Sequence, residues 1–229
     1  MATWITHMRI AEHFMQKNPN LNNPAFLVGN IGPDCGVPND DWTLFIPDTK
    51  ITHWWSSDGA YIDTEDFKER YLTNPDVRYP FYWGYYFHLL ADIEWSKLYE
   101  VKKIEPVYAD GLKADKDFIW IIKKDWYGQD HLFLQRNPDF IFYSMFSKIH
   151  DFDNTYFDVY PKNAFIDRVR YITDFYLSAN ENPDREFPFL SKAEMDDFVK
   201  NTICVIEDVT RSKRIIHEQL EFKHARDNG

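Results

Sequence analysis

The sequence predicts an all-α fold, a single domain over residues 1–229 in which several helices surround one central buried helix. The main observation is the stretch GYYFHLLADIEW, residues 84–95, which is apolar on nearly every side of a helix. A helix that is hydrophobic all round is normally buried. Amphipathic helical periods recur elsewhere, whereas strand-like runs such as DHLFL are short. A chain of 229 residues is also long enough for one domain with a sizeable core.

The individual helices follow from capping and proline signals, taken in chain order. Thr6 is predicted to cap a first helix that runs to about Lys17. Asn23 can cap a second helix that has Pro24 in its first turn and ends near residue 32. Residues 36–62 read as a long irregular loop, and such loops are usually functional.

The second half of the chain carries further helix signals. A capping box formed by Ser191 and Glu194 precedes the helical run AEMDDFV. Asp63 or Thr64 is predicted to cap a helix at about residues 64–72. Other helices are predicted at about residues 80–101, 116–126, 140–149, 161–177 and 209–223.

Composition limits the partners of the chain. The net charge of −11 argues against a broad footprint on nucleic-acid phosphates and against docking on anionic lipid. No apolar run is long enough to span a membrane, and the first residues lack the pattern of a signal peptide. With only two cysteines there is no disulfide framework, so a cytoplasmic location is expected.

A histidine and an aspartate lie four positions apart inside the central helix. His88 and Asp92 therefore share one helix face within apolar sequence. A buried carboxylate needs a cation, a hydrogen-bond donor or a metal as its partner. An isolated pair of this kind is more often a hydrogen-bonded core pair than a metal site, so both interpretations stay open at this point.

Three upstream residues favour the metal site. His7 lies in the first helix, Asp34 on the Gly-Pro turn of FLVGNIGPDCG, and His53 before two tryptophans in DTKITHWW. Each alone is more often a packed core or turn residue. Together with His88 and Asp92 they make three imidazoles and two carboxylates beside apolar sequence, a ligand set that suits zinc with room for water.

The ordered set of His7, Asp34, His53, and His88 with Asp92 resembles the zinc-dependent phospholipase C and single-strand nuclease superfamily. The sequence segments GNIGPDC, THWW and GYYFHLLADIEW are more similar still to short, uncharacterised bacterial proteins of the phospholipase C-like type. The resemblance covers residues 4–95. It implies an all-helical fold with a cluster of zinc ions.

The chain departs from that pattern in three places. The secreted enzymes bind one zinc through an N-terminal tryptophan, whereas Trp4 here is preceded by Met1. Leu98 stands where they carry a further histidine. Their second helix with HxxxD or HxxxE has only one counterpart here, His217 with Glu221, which comes late in the sequence. The remaining candidate ligands for a further metal are weak, namely His131, His150, His217 and Glu221. Two zinc ions are therefore expected, and a third is in doubt.

The resemblance and metal chemistry together predict a hydrolase of phosphoric esters with a small or head-group-like substrate. Asp34 would be both a zinc ligand and the general base, and Asp92 would bridge a first zinc to a second one at His7. Trp54, Trp55 and Tyr85 are the predicted substrate-binding aromatics, although core packing is their more common role. The alternative is a helical domain that metal stabilises without catalysis, since fold and ligands do not fix an activity.

Overall fold

The fold is taken from a computed structural model. It describes residues 1–41, 43–73, 78–178, 182 and 185–227, without the side chains of residue 116 and residues 212–227. The predicted all-α class is confirmed. The α-helices are α1 (Trp4–Lys17), α2 (Pro24–Asn30), α3 (Thr49–Thr52), α4 (Thr64–Tyr71), α5 (Tyr79–Lys102), α6 (Pro106–Ala114), α7 (Ile119–Arg136), α8 (Ile141–Ser144), α9 (Ala164–Ser178) and α10 (Lys192–Asp227).

Short elements complete the described part of the chain. There are 3₁₀ helices at Pro19–Leu21, Gly32–Cys35, Lys116–Phe118 and Phe146–Lys148. Strands β1 (Val37–Pro38) and β2 (Phe45–Ile46) pair antiparallel, with Val37 opposite Ile46. None of the helices in the described residues is both long enough and apolar enough to cross a bilayer.

Three predicted caps are present as hydrogen bonds. The Asn23 side chain accepts from the Ala25 backbone N–H at 2.7 Å, at the start of α2. Asp63 accepts from the Asp66 N–H at 3.0 Å and begins α4. At α10, the Ser191 N–H donates to Glu194 at 2.8 Å, which is one half of the predicted capping box.

The structure corrects the prediction in four regions. Helix α1 begins at Trp4, and the Thr6 hydroxyl, instead of capping it, lies 2.8 Å from the Thr3 hydroxyl. The predicted loop 36–62 contains the β1–β2 hairpin and α3. The helix predicted at 116–126 continues to Arg136 as α7 and is preceded by the unpredicted α6. The two predicted C-terminal helices are one, α10, because no glycine or proline interrupts the sequence between them.

Helix α5 is the central helix, and α2 crosses it closely. Residues 84–92 of α5 are all buried. A side-chain carbon on Gly84 would lie 2.1 Å from the Phe26 carbonyl oxygen, and one on Gly29 would lie 2.0 Å from the Phe81 carbonyl oxygen. The paired glycines thus let the two backbones touch. This contact brings the end of α2 onto the face of α5 that carries His88.

Gly84→Ala should lower the free energy of unfolding by about 1–3 kcal/mol or more, because the added carbon meets backbone, which cannot turn aside. Urea unfolding measures the change. Gly111→Ala is the matched control, since the three atoms nearest to its added carbon all belong to a side chain, the ring of Phe118. Helix propensity favours alanine equally in both variants. Equal midpoints for the two variants would contradict the close crossing.

Candidate metal centre

The fold brings together the five residues that the sequence predicts as metal ligands. Helix α1 supplies His7, the 3₁₀ helix Gly32–Cys35 supplies Asp34, and His53 follows α3 directly. His88 and Asp92 project from α5. The three histidines and Asp92 are buried, and the side chain of Asp34 is 10% exposed. Residues that are far apart in sequence thus form one buried polar cluster.

Asp92 lies at the centre of this cluster. Its Oδ1 atom is 3.4 Å from His7 Nε2. Its Oδ2 atom is 3.4 Å from His88 Nε2 and 3.5 Å from His53 Nε2. His53 Nε2 is also 3.4 Å from Asp34 Oδ1. The rings of His7 and His88 stack in parallel, with their centroids 3.8 Å apart.

Backbone carbonyls fix the orientation of two of the imidazoles. His88 Nδ1 lies 2.8 Å from the Asn30 carbonyl oxygen, and His53 Nδ1 lies 3.0 Å from that of Thr49. A carbonyl only accepts, so each Nδ1 carries the hydrogen and donates it. When the ring is neutral, Nε2 therefore presents a lone pair to the cluster. Metal-binding histidines are commonly held by such outer hydrogen bonds.

The donor atoms fit a metal ion better than a hydrogen-bond network. Among the described residues, Nε2 of all three histidines and Oδ2 of Asp92 are buried without a hydrogen-bond partner. Two overlapping groups can ligate, Asp34–His53–His88 and His7–His88–Asp92. Bonds of about 2.0–2.1 Å at tetrahedral angles separate two zinc ligands by about 3.3 Å. The observed separations of 3.4–3.5 Å are close to that value. The cluster could therefore hold a metal ion.

Three residues of the cluster, His7, Asp34 and Asp92, have protonation states that suit a metal ion. Burial and the neighbouring His88 lower the pKa of His7 to about 4, which leaves a neutral imidazole. Burial acts to raise the pKa of Asp92, but the amino terminus and His88 outweigh it, so this pKa stays well below its usual value. Burial also acts to raise the pKa of Asp34, but His53 and His88 outweigh it, so this pKa is lowered as well. Burial acts to lower the pKa of His88, but Asp92 and Asp34 outweigh it and raise this pKa. Neutral imidazoles and ionised carboxylates are the forms that bind metals, so a metal ion would compete with a proton on His88.

Two contacts to the carboxylates are absent from the sequence prediction. The Trp4 indole N–H donates to Asp34 Oδ2 at 2.9 Å, which leaves Oδ1 toward His53. The backbone N–H of Ala2 donates to Asp92 Oδ1 at 2.9 Å. In the secreted enzymes of the resembled superfamily the N-terminal tryptophan reaches a zinc ion, whereas here the backbone that reaches the site is that of Ala2. No local pattern encodes either contact, because both depend on tertiary packing.

A second buried carboxylate holds this first segment in place. Asp130 of α7 accepts from the Thr3 hydroxyl at 2.8 Å and from the Tyr176 hydroxyl at 2.5 Å. Burial raises the pKa of Asp130 to about 7. The start of the chain is thus held by two carboxylates: Asp92 binds Ala2, and Asp130 binds Thr3.

A cleft of about 660 Å³ opens beside the cluster. Of the five cluster residues, only Asp34 lines it, next to Ala2 and Trp4. Its size is within the usual range for small-molecule sites. Asp34 is thus the residue through which the buried cluster reaches a space large enough for a ligand.

The three aromatic residues predicted to bind substrate do not line this cleft. The Tyr85 hydroxyl donates to the Thr52 carbonyl and lies 2.9 Å from the Tyr160 hydroxyl, within the core. The Trp54 indole donates to Asp66 at 2.8 Å, and Trp55 is partly exposed elsewhere. The aromatic residues that face the cleft are different ones and come chiefly from α1, α5, α7 and α9.

The weaker candidate ligands do not join the cluster where the structure describes them. His131 packs against Phe175 and Tyr176, and His150 is exposed. Neither belongs to a ligand group within the described residues. His217 and Glu221 lie outside the residues whose side chains are described.

The chain matches no family model, no curated protein and no solved structure at a significant level. The resemblance to zinc-dependent phospholipases C thus stays a prediction from the ordered residues.

Proposed function

We propose that the protein is a metal-dependent hydrolase of phosphoric esters, with zinc as its metal. The observation that carries the proposal is the position of Asp34. This carboxylate belongs to a buried group of metal-type ligands and also borders a cleft of substrate size. A ligand in the cleft would therefore reach the edge of the cluster without any rearrangement of the core.

The ligand roles follow the two groups that the structure brings together. Asp34, His53 and His88 would hold one ion, with Asp92 Oδ2 facing the same nitrogens. His7 and Asp92 Oδ1 would hold a second, weaker one. Bound zinc lowers the pKa of water toward neutrality and polarises a phosphoryl oxygen.

The protein's own groups supply the remaining requirements of hydrolysis. Asp34 is ionised and can accept a proton at the edge of the cleft. The Trp4 indole holds the other oxygen of this carboxylate and so fixes its direction. A substrate packed against the aromatic walls of the cleft would displace water from them, which would strengthen electrostatic interactions there.

A metal-stabilised domain without catalysis is the second candidate. It is favoured by the burial of His7, His53, His88 and Asp92, none of which lines the cleft. An ion enclosed by these four residues would stabilise the fold and contact no substrate.

Elemental analysis combined with ester hydrolysis tests the two candidates. We expect the purified protein to contain zinc and to hydrolyse p-nitrophenyl phosphate or bis(p-nitrophenyl) phosphate. Chelation should abolish this turnover, and added zinc should restore it. Bound metal whose removal lowers the melting temperature, without turnover of any ester, would support the structural candidate. A protein that binds no transition metal would contradict both.

A further inference from the structure

The walls of the cleft are mainly aromatic. They come from α1, α5, α7 and α9, and include Trp4, Tyr99, Trp120, Tyr127, Tyr171 and Phe175. The Trp4 ring meets those of Tyr171 and Phe175 edge-on, with both pairs of centroids 5.9 Å apart. Such walls bind flat or apolar groups, and they attract cations equally well. Aromatic surface alone therefore does not fix the charge of the ligand.

The charged residues of the cleft bear on this question. Two cations, Lys123 and Arg168, and two carboxylates, Asp34 and Glu100, line it. Glu100 pairs with Lys103 at 2.6 Å, and Asp34 is held by the Trp4 indole and faces His53. The Arg168 guanidinium donates to the Gly36 carbonyl at 2.7 Å and lies 5.4 Å from the Tyr171 ring centroid. Arg168 is therefore already bound to residues of the cleft wall through these two contacts.

Lys123 is placed differently. Its ammonium lies 4.7 Å from the centroid of the Trp120 ring, and no carboxylate of the described residues lies within ion-pair distance of it. Burial lowers the pKa of Lys123, and the negative charge of the nearby Asp34 carboxylate acts against this lowering. A partly buried ammonium without an ion-pair partner is ready to bind an anion, which it would hold as a compact point charge.

We propose that the cleft takes an anionic ester whose alcohol part is an uncharged aromatic or apolar group, and that Lys123 holds the anion beside Asp34. This inference rests on the proposed function and names its substrate class. The aromatic walls pack the alcohol part. Glu100 is already paired with Lys103, whereas the charge of Lys123 is not paired with a carboxylate, so Lys123 together with Arg168 repels a positively charged head group. A choline ester is thus a poor ligand, even though aromatic walls without these cations would suit it.

The first test compares two substrates that differ only in charge. They are p-nitrophenyl phosphorylcholine and 3,3-dimethylbutyl p-nitrophenyl phosphate, in which carbon replaces the quaternary nitrogen. We expect the zinc-loaded protein to have the lower KM for the dimethylbutyl ester, which is an anion whose alcohol part carries no charge. Lys123→Gln should reduce this preference and raise KM for that ester roughly tenfold or more, with a much smaller change in kcat. Preference for the choline ester would overturn the proposal.

The matched control is Lys124→Gln. Lys124 is the next residue of α7 and is exposed, and it does not line the cleft. Its substitution alters the net charge equally, so it should leave both KM values unchanged. Equal effects of the two substitutions would show that only the overall charge matters and would remove Lys123 from its role.

A binding measurement separates this proposal from the proposed activity. Phenylphosphonate is an aromatic anion that cannot be hydrolysed as an ester, and calorimetry with the zinc-loaded protein gives its Kd. Lys123→Gln should weaken its binding roughly tenfold or more, and Lys124→Gln should not. This result without turnover of any ester would contradict the hydrolase and keep the anion site. An absence of binding, or equal Kd values in both variants, would overturn the anion site itself.

Discussion

Asp34→Asn is expected to lower the turnover of phosphate esters by roughly two or more orders of magnitude, as loss of a general base does. An amide oxygen can still accept from the Trp4 indole and contact a metal, so the fold and most of the bound metal should remain. The amide cannot accept a proton from water. Initial rates at saturating zinc measure the loss, with metal content determined on the same samples.

Asp66→Asn is the matched control for this variant. Asp66 also accepts from a tryptophan indole, that of Trp54 at 2.8 Å, but it lies outside the cluster and does not line the cleft. Its substitution should leave turnover unchanged. An Asp34→Asn protein as active as the Asp66→Asn protein would exclude Asp34 as the base.

The second large effect is expected at the buried histidines. His88→Ala or His53→Ala should remove at least one equivalent of metal, because each supplies a neutral imidazole to the same ligand group. The free energy of unfolding should fall by several kcal/mol, since a buried Asp92 then loses a close partner. Elemental analysis and denaturant unfolding measure the two changes.

His131→Ala separates a ligand from a merely buried histidine. His131 is also buried, at 7% exposure, but belongs to no ligand group among the described residues. This variant should lose some packing energy and keep its metal. A His88→Ala protein with the metal content of the His131→Ala protein would refute the predicted site.

The central helix and the caps could be predicted because their signals are local. The apolar stretch around His88 marks a buried helix, and Asn23, Asp63 and Ser191 carry side chains that cap helices. The start of α1 was predicted wrongly, because Thr6 has the chemistry of a cap but its hydroxyl faces Thr3. Propensity identifies what a residue can do, and tertiary packing decides among the possibilities.

The candidate site was predictable to a similar degree. Residue type and order were enough to select the five residues that the structure brings together. The Ala2 and Trp4 contacts, and the cleft wall with Lys123, were not predictable, because α1, α7 and α9 meet there only in the folded chain. Trp54 and Tyr85 are near His53 and His88 in the sequence, but this nearness does not place them in the cleft.

The separation of the ligands along the chain links the metal to folding. Four segments supply them, and only His88 and Asp92 are close enough in sequence to pair within a single helix. The unfolded chain can therefore offer at most a two-ligand site, whereas the native chain offers both complete groups. An ion that binds the native state alone stabilises it by mass action, in proportion to the logarithm of free metal concentration above its Kd. The amount of folded protein in a cell would then follow the supply of the ion, whether or not the site also catalyses a reaction.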